Sequence, residues 1–245
     1  MSSMKHKDHY NDAYIGELAE KIAAVSSNFD ALGLTESVQG QLEDKELFAR
    51  FDFIVDAMEK YMSPDYAENI QVFYQLLGPE LEKAEGMFSF GWWLWPIGRY
   101  VERHGNEDWQ VSLAFLKELT KRFTGEYAIR PLLKEHPQEV MDELIQWTLD
   151  ENVHVRRLAC EGVRLRLPWS EKLFVALDEP ERYCEILTNL KDDPAKFVQK
   201  SVGNNLNDLY KDAPDKAEAL IAQWRQTPST KAQEWIIKHG TRNQK

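Results

Sequence analysis

Cysteine is nearly absent from this 245-residue chain: Cys160 and Cys184 are the only two. Both sit in helix-like apolar patterns, which predicts two buried thiols in a reducing cytoplasm rather than a disulfide framework. No Cys/His spacing suggests zinc, and His6 and His9 read as parts of a polar tail, so no metal site is expected. Glycine is sparse, at 12 residues, and no Asn-Gly or Asp-Gly pair separates alternating runs, so β-hairpins are not expected. No apolar run approaches the roughly 18 residues that a membrane-spanning helix needs. The opening MSSMKHKDHY has no apolar core, so no secretory signal is expected. Walker loops, G-x-G-x-x-G, G-x-S-x-G and H-E-x-x-H are all missing, which excludes the nucleotide-binding, serine-hydrolase and zincin sites they mark and leaves no cofactor implied.

A net positive charge is also missing. The formal charge is −11, which taken alone argues against a nucleic-acid partner, because phosphate binding needs a basic surface. The distribution changes this. Residues 1–150 carry 14 Lys+Arg against 27 Asp+Glu, whereas residues 151–245 carry 16 against 14. An anionic partner is therefore expected to meet the second part of the chain.

What is present is helical periodicity. Phe115, Leu116, Leu119 and Phe123 fall on one helical face, as do Val140, Leu144, Ile145 and Trp147. Proline spacing supplies the register. Pro180 and Pro214 are 34 residues apart, as are Pro194 and Pro228, and the two series are offset by 14. Proline suits the first helical turn. The spacing thus predicts first helices from Pro137, Pro180 and Pro214, and second helices capped by Asp150, Asp193 and Thr227. Three successive pairs predict a helical solenoid. The tetratricopeptide W-x-x-L-G-x-x-Y pattern is missing, which favours HEAT-like repeats. The first pair is 43 residues long rather than 34, and the insertion contains RLRLPW. It reads either as a harmless loop or as one that carries function. The tract FSFGWWLWPIGRYVERHG, residues 88–105, reads as a buried helix, with an aromatic groove wall as the alternative.

Residues 154–169, HVRRLACEGVRLRLPW, gather Arg156, Arg157, Arg164 and Arg166 around Glu161. Arg157 precedes Glu161 by four residues and Arg164 follows it by three, so both flank the carboxylate on one helical face. Counted from the expected caps, Glu161 aligns with Asn204, and Asp208 lies one turn further on. If second helices stack side by side, Glu161 and Asp208 look into one groove. The same spacing also suits an ordinary solvated ion pair, worth about 0.3–0.5 kcal/mol. Arginine forks bind phosphate, and carboxylates stabilise a cation or position water. A strand whose sugar turns cationic needs both. Trp169 is either a core residue pinned by Pro168 or a platform against sugar or base. A HEAT-like module that binds protein or nucleic acid without chemistry is the rival reading.

The same stretch resembles the HVRRL-x-x-EG-x-R-x-RLPW signature of AlkC-type DNA alkylation repair glycosylases. RFTGEYAIRPLL (122–133), LKDDPAKFVQKSVGNNLNDLYKD (190–212) and WIIKHGTR (235–242) resemble the same family; WPIGRYVERHG does so more loosely, and NFD (28–30) weakly. The resemblance implies hydrolytic excision of positively charged N3-alkylated bases, 3-methyladenine above all and also 3-methylcytosine, without flipping the base. It implies Glu126, Glu161 and Asp208 as catalytic carboxylates. Arg156, Arg157, Arg164, Arg166, Lys200 and Trp169 become the candidate DNA-binding residues. RLRLPW has a leucine where proline is common. Gln199 and Lys200 stand where paired arginines are common, a change expected to weaken phosphate binding. The immunoglobulin-like domain that some members carry is not expected here. No lysine has a case for attacking C1′, which points to a monofunctional enzyme.

The expectation is an all-α, right-handed solenoid of HEAT-like helical repeats. It forms one domain over 1–245, with an acidic N-terminal part (1–105) and catalytic repeats (106–245). The expected partner is double-stranded DNA with alkylated bases, bound by a cytoplasmic monomer with no membrane contact.

Overall fold

The computed structural model describes residues 5–84 and 90–244, and among these the fold is all-α, with no strand. Two compact units divide between Phe123 and Thr124, except that residues 82–84 belong to the second unit. The first contains α1 (Asp12–Val25), α2 (Ala31–Val38), α3 (Leu47–Tyr61), α4 (Tyr66–Leu76), α5 (Trp95–His104) and α6 (Trp109–Thr120). The second contains α7 (Ile129–Glu135), α8 (Pro137–Trp147), α9 (Val153–Glu161), α10 (Val175–Asp178), α11 (Pro180–Leu190), α12 (Lys196–Asp212), α13 (Pro214–Trp224) and α14 (Lys231–Gly240). The division falls after α6. The reason is packing: α6 buries Leu113, Phe115, Leu116 and Leu119 with the first unit, where Phe115 meets Phe73 and Tyr74.

Side-chain oxygens start four of these six helices of the first unit. Asn11, Asp30, Asp65 and Asp108 each accept a backbone N–H three residues on, which satisfies donors that a helix N-terminus leaves without partners. Its core is aromatic, with Phe51 packed on Tyr10 and Trp95, and Tyr100 on Phe73. The tryptophan tract is only partly the buried helix expected of it. Phe88 and Ser89 lie outside the described residues; Phe90–Leu94 is a 3-10 turn with Phe90 exposed, and the α-helix begins at Trp95. Tyrosines anchor the turn: Tyr10 donates to the Trp92 carbonyl at 2.7 Å and Tyr14 to that of Trp93 at 2.8 Å.

The second unit repeats a helix pair. Pro137, Pro180 and Pro214 open α8, α11 and α13, as the spacing predicts. The second helices start later than expected. Asn152 caps α9, Thr230 caps α14, and α12 has no side-chain cap. Asp150 and Asp193 instead accept the N–H of the residue two positions on, Asn152 and Ala195, each at 2.8 Å. Such Asx turns stop the chain from entering a helix until they are complete. Pro194 and Pro228 therefore sit in the connecting turns, and Thr227 caps nothing.

α9, α12 and α14 lie side by side in one layer, while α8 packs on α11 in the other. Hydroxyls join consecutive first helices: Asn189 donates to Thr148 at 3.0 Å, and Trp224 donates to Thr188 at 2.9 Å. Apolar burial drives the stacking. Leu158, Val202, Leu206 and Ile236 are fully buried, each worth about 1.5–3 kcal/mol relative to exposure. Gly240 sets the α12–α14 spacing, since a Cβ there lies 2.6 Å from Cβ of Leu206. The inserted segment follows α9 and runs through α10.

Candidate active site

All three candidate carboxylates lie in the second unit, and each comes from a different segment. Glu126 is in the turn before α7, Glu161 is the last residue of α9, and Asp208 is in the C-terminal half of α12. Two arginines link them into one row. Arg157 pairs with Glu126 through Nη1 and lies 3.4 Å from Glu161 Oε1 through Nη2. Arg164 donates from Nη1 to Glu161 Oε1 at 2.8 Å and from Nε to Asp208 Oδ2 at 2.9 Å. The order is Glu126–Arg157–Glu161–Arg164–Asp208. Glu161 sits between its two partners because α9 places i−4 and i+3 on its own side. The expected convergence of Glu161 and Asp208 is therefore realised, with Arg164 as the bridge.

The expected open groove is not realised at the carboxylates themselves. Glu126, Glu161 and Asp208 expose 3%, 5% and 2%. They form a nearly closed floor, because unpaired carboxylates at this depth are costly and the guanidinium groups fold in to satisfy them. Three carboxylates against two guanidiniums leave the row with a formal charge of −1. Burial pushes the Glu126 carboxyl above its ordinary range; Arg157 opposes this, and neighbouring Glu161 adds to it. Burial also pushes Glu161 up, but Arg157 and Arg164 outweigh it and hold that carboxyl low. Asp208 is raised by burial despite Arg164. The two ends of the row are thus short of positive charge and its middle is well supplied.

The remaining candidates divide. Trp169 is 62% exposed, so it is not a core residue. Its φ is +62°, a left-handed conformation that a bulky side chain rarely adopts. Tyr127 holds the preceding Pro168 carbonyl at 3.2 Å, and Ser170 N–H donates to Leu167. The loop presents the indole outward. Arg156 is not brought to the row: it donates to Asp193 at 2.6 Å and to the carbonyls of Asp150 and Glu151, tying two inter-helix turns together. Arg166 forms a two-point pair with Asp212, at 2.6 and 2.9 Å, which Lys172 shares. The Arg166 hydrogen bond and Lys172 bring the Asp212 carboxyl down to about 2. Lys200 is exposed on α12, within electrostatic reach of His239. Gln199 is buried and donates to the Asp193 carbonyl at 2.7 Å. Asn204, aligned with Glu161 from the caps, accepts instead from Arg242.

Several participants carry no sequence signal. Thr124 Oγ1 donates to Glu126 at 3.0 Å and accepts from Arg157 at 3.0 Å, and Ser201 donates to Glu161 Oε2. Arg130, 3% exposed, holds the inserted loop through the carbonyls of Gly162, Arg164 and Glu171. A conserved-size change, Arg130→Met, leaves those carbonyls without their donor and is expected to lower stability by about 1–3 kcal/mol. Thermal melting checks this, and limited proteolysis should then cut first within 162–171. An unchanged melting curve and cleavage pattern means that Arg130 does not hold the loop.

Comparisons with known proteins place the chain in a family. YhaZ, an uncharacterised protein of Bacillus subtilis (strain 168), is 31% identical over 240 residues, covering 96% of this chain and 63% of the relative. The alkylpurine DNA glycosylase AlkC of Pseudomonas fluorescens, solved bound to DNA containing an abasic site analog, superposes with a TM-score of 0.83 at 32% identity. That alignment covers 98% of this chain and 65% of the solved one. The chain thus spans a little under two thirds of the length of each of these relatives. Residues 97–242, which contain α6–α14 and the whole row from Glu126 to Asp208, match the DNA alkylation repair enzyme family, and the chain belongs to that family.

Proposed function

We propose that the protein is a DNA glycosylase that removes positively charged N3-alkylated bases, 3-methyladenine and also 3-methylcytosine, by hydrolysing the N-glycosidic bond. The observation that carries this reading is the −1 row: five alternating charged groups, desolvated, with three acids and two bases. A cation completes it. N3-alkylation places positive charge on the base, and its departure leaves oxocarbenium character on the deoxyribose. A fixed negative charge in a low-dielectric setting stabilises that developing charge strongly, since its groups need no reorganisation as the bond breaks. The base leaves neutral, so no strong general acid is required. A carboxylate beside C1′ also orients the attacking water, as in glycoside hydrolysis.

Exposed Trp169 supports this reading as a stacking surface for sugar or base, a contact worth about 1–3 kcal/mol. Arg157, the partly exposed arginine of the row, is the group placed to meet a phosphate beside the lesion, with the buried Arg164 behind it. The base need not be flipped into a pocket if the sugar approaches the row from its edge. The partner is double-stranded DNA with alkylated bases, bound by one copy of the chain. A cytoplasmic setting fits the two free thiols. Among the described residues no helix is long and apolar enough to cross a membrane.

Release of 3-methyladenine from DNA treated with a methylating agent is the decisive measurement. Free base is expected, with an intact abasic strand left behind; no released base under single-turnover conditions leaves the binding-module reading instead. Arginine–phosphate contact further predicts that log Kd for methylated duplex changes linearly with log salt, by about 0.9 per phosphate neutralised. A salt-independent affinity contradicts the assignment of those contacts.

A further inference from the structure

Glu161 differs from the other two acids in how its second oxygen is held. Oε1 faces Arg157 and Arg164, and Oε2 accepts the hydroxyl of Ser201, which α12 brings across from the neighbouring repeat. Ser201 is 2% exposed, and its oxygen is also 3.0 Å from the Cys160 thiol. Proton accounting fixes the direction of this chain. The carboxylate between two guanidiniums has no proton to give, so the hydroxyl must donate to it. The hydroxyl's free lone pairs then face the thiol. Burial pushes the Cys160 thiol up to about 12, so it keeps its one proton, and the Ser201 oxygen at 3.0 Å is the nearer of its two acceptors, the Arg157 carbonyl lying at 3.4 Å. The order is S–H to O–H to carboxylate. The layer is fixed from both sides, because Asn205 on α12 donates to the Cys160 carbonyl at 2.8 Å.

We infer that Ser201, oriented by Cys160, is a positioning residue for Glu161: its hydroxyl locks one carboxylate rotamer and keeps that carboxylate ionised in a site with almost no water. This rests on the glycosylase reading of the row. A hydrogen bond to a charged group favours the charged form, and the Ser201 hydroxyl acts on Glu161 in that direction together with both arginines. The other titratable groups facing Glu161 are Glu126 and Cys160, and neither supplies a donor to Oε2. Without the hydroxyl, Oε2 has no donor and the carboxylate can swing between its two guanidinium partners.

The test uses the full-length protein and a methylated duplex. Single-turnover excision and DNA affinity are measured for wild type, Ser201→Ala, Cys160→Ala and Glu161→Gln. In parallel, carbon-13 NMR of glutamate-labelled protein follows the Glu161 carboxyl, identified by its loss in Glu161→Gln. Ser201→Ala is expected to slow excision about tenfold at unchanged DNA affinity and to raise the Glu161 titration midpoint by about one pH unit. Cys160→Ala, which keeps the hydroxyl but frees its rotor, should shift both in the same direction by less. A fold defect alone does not move the carboxyl midpoint while leaving affinity intact. An unmoved midpoint, or wild-type excision by Ser201→Ala, overturns the inference. Wild-type excision by Glu161→Gln removes the role of Glu161 itself, and absence of base release by the wild-type protein removes the glycosylase reading, so each failure is recognisable.

Discussion

Glu161→Gln and Asp208→Asn are each expected to lower release of N3-methylated base by about 10²–10³-fold while the helical far-UV spectrum stays unchanged. Each substitution keeps side-chain size and one acceptor oxygen, so Arg164 retains a partner at Glu161 Oε1 or Asp208 Oδ2. What is lost is one negative charge of the three, and removal of a single preorganised group facing developing charge typically costs that factor. The two variants should differ in stability, which separates them from a shared folding defect. Asp208 has a raised pKa in the folded state, so its ionised form is disfavoured by folding at neutral pH, and the neutral amide removes that cost. The melting temperature of Asp208→Asn should equal or exceed that of wild type at pH 7. Glu161 has a lowered pKa, so its charge contributes stability above the ordinary carboxylate pKa, a contribution lost as pH falls through the folded-state value. Glu161→Gln should therefore melt below wild type at neutral pH and approach it in acid. Normal excision by either variant removes the catalytic role of that residue.

Much of this site can be read along the chain, and the parts that cannot share a physical cause. Arg157, Glu161 and Arg164 are neighbours on one helix and its immediate exit, so spacing alone places them together. Asp208 follows from the repeat, because proline at the start of α8, α11 and α13 sets the register of the whole unit. The caps are not legible in this way: an aspartate before a proline serves an Asx turn as readily as a helix N-cap, and Asp193 is used in the former way. Of the four arginines, only two face the row. Adjacent residues on a helix point about 100° apart, so Arg157 turns to Glu126 while Arg156 turns to Asp193. Arg166 lies beyond α9, where the periodicity has ended, and its partner Asp212 is 46 residues away. The supporting hydroxyls of Thr124 and Ser201 are invisible for the same reason: a buried serine reads like any other helical polar residue until its partner across the layer is known. The depth of the carboxylates is likewise a tertiary property, set by how far the guanidinium groups can fold inward.

Arg164→Met should be the most destabilising single change in the row, by about 3–5 kcal/mol, together with loss of excision. Among the described residues, Arg164 is the side chain in hydrogen-bond contact with both Glu161 and Asp208, and it also donates to the Arg166 carbonyl at 3.2 Å. Methionine fills the apolar stem but leaves Asp208 buried without its ion-pair partner. Glu161 is less affected, since Arg157 and Ser201 remain. The pH dependence identifies the cause. The Asp208 carboxyl, already raised, should rise further in the variant. A group whose folded-state pKa is raised favours folding only in its protonated form, so the penalty is present at neutral pH and shrinks as acid protonates Asp208. Chemical denaturation of wild type and variant across about pH 5–8 should therefore show two stabilities converging toward acid. Adding Asp208→Asn to Arg164→Met should recover part of the lost stability without recovering excision, because the uncompensated charge is removed but the negative row is not rebuilt. A penalty that stays constant with pH, or a double variant no more stable than Arg164→Met, means the loss comes from packing of the arginine stem and not from charge. In that case the alternating row is not what holds Asp208 in place, and the electrostatic account of the site loses its support.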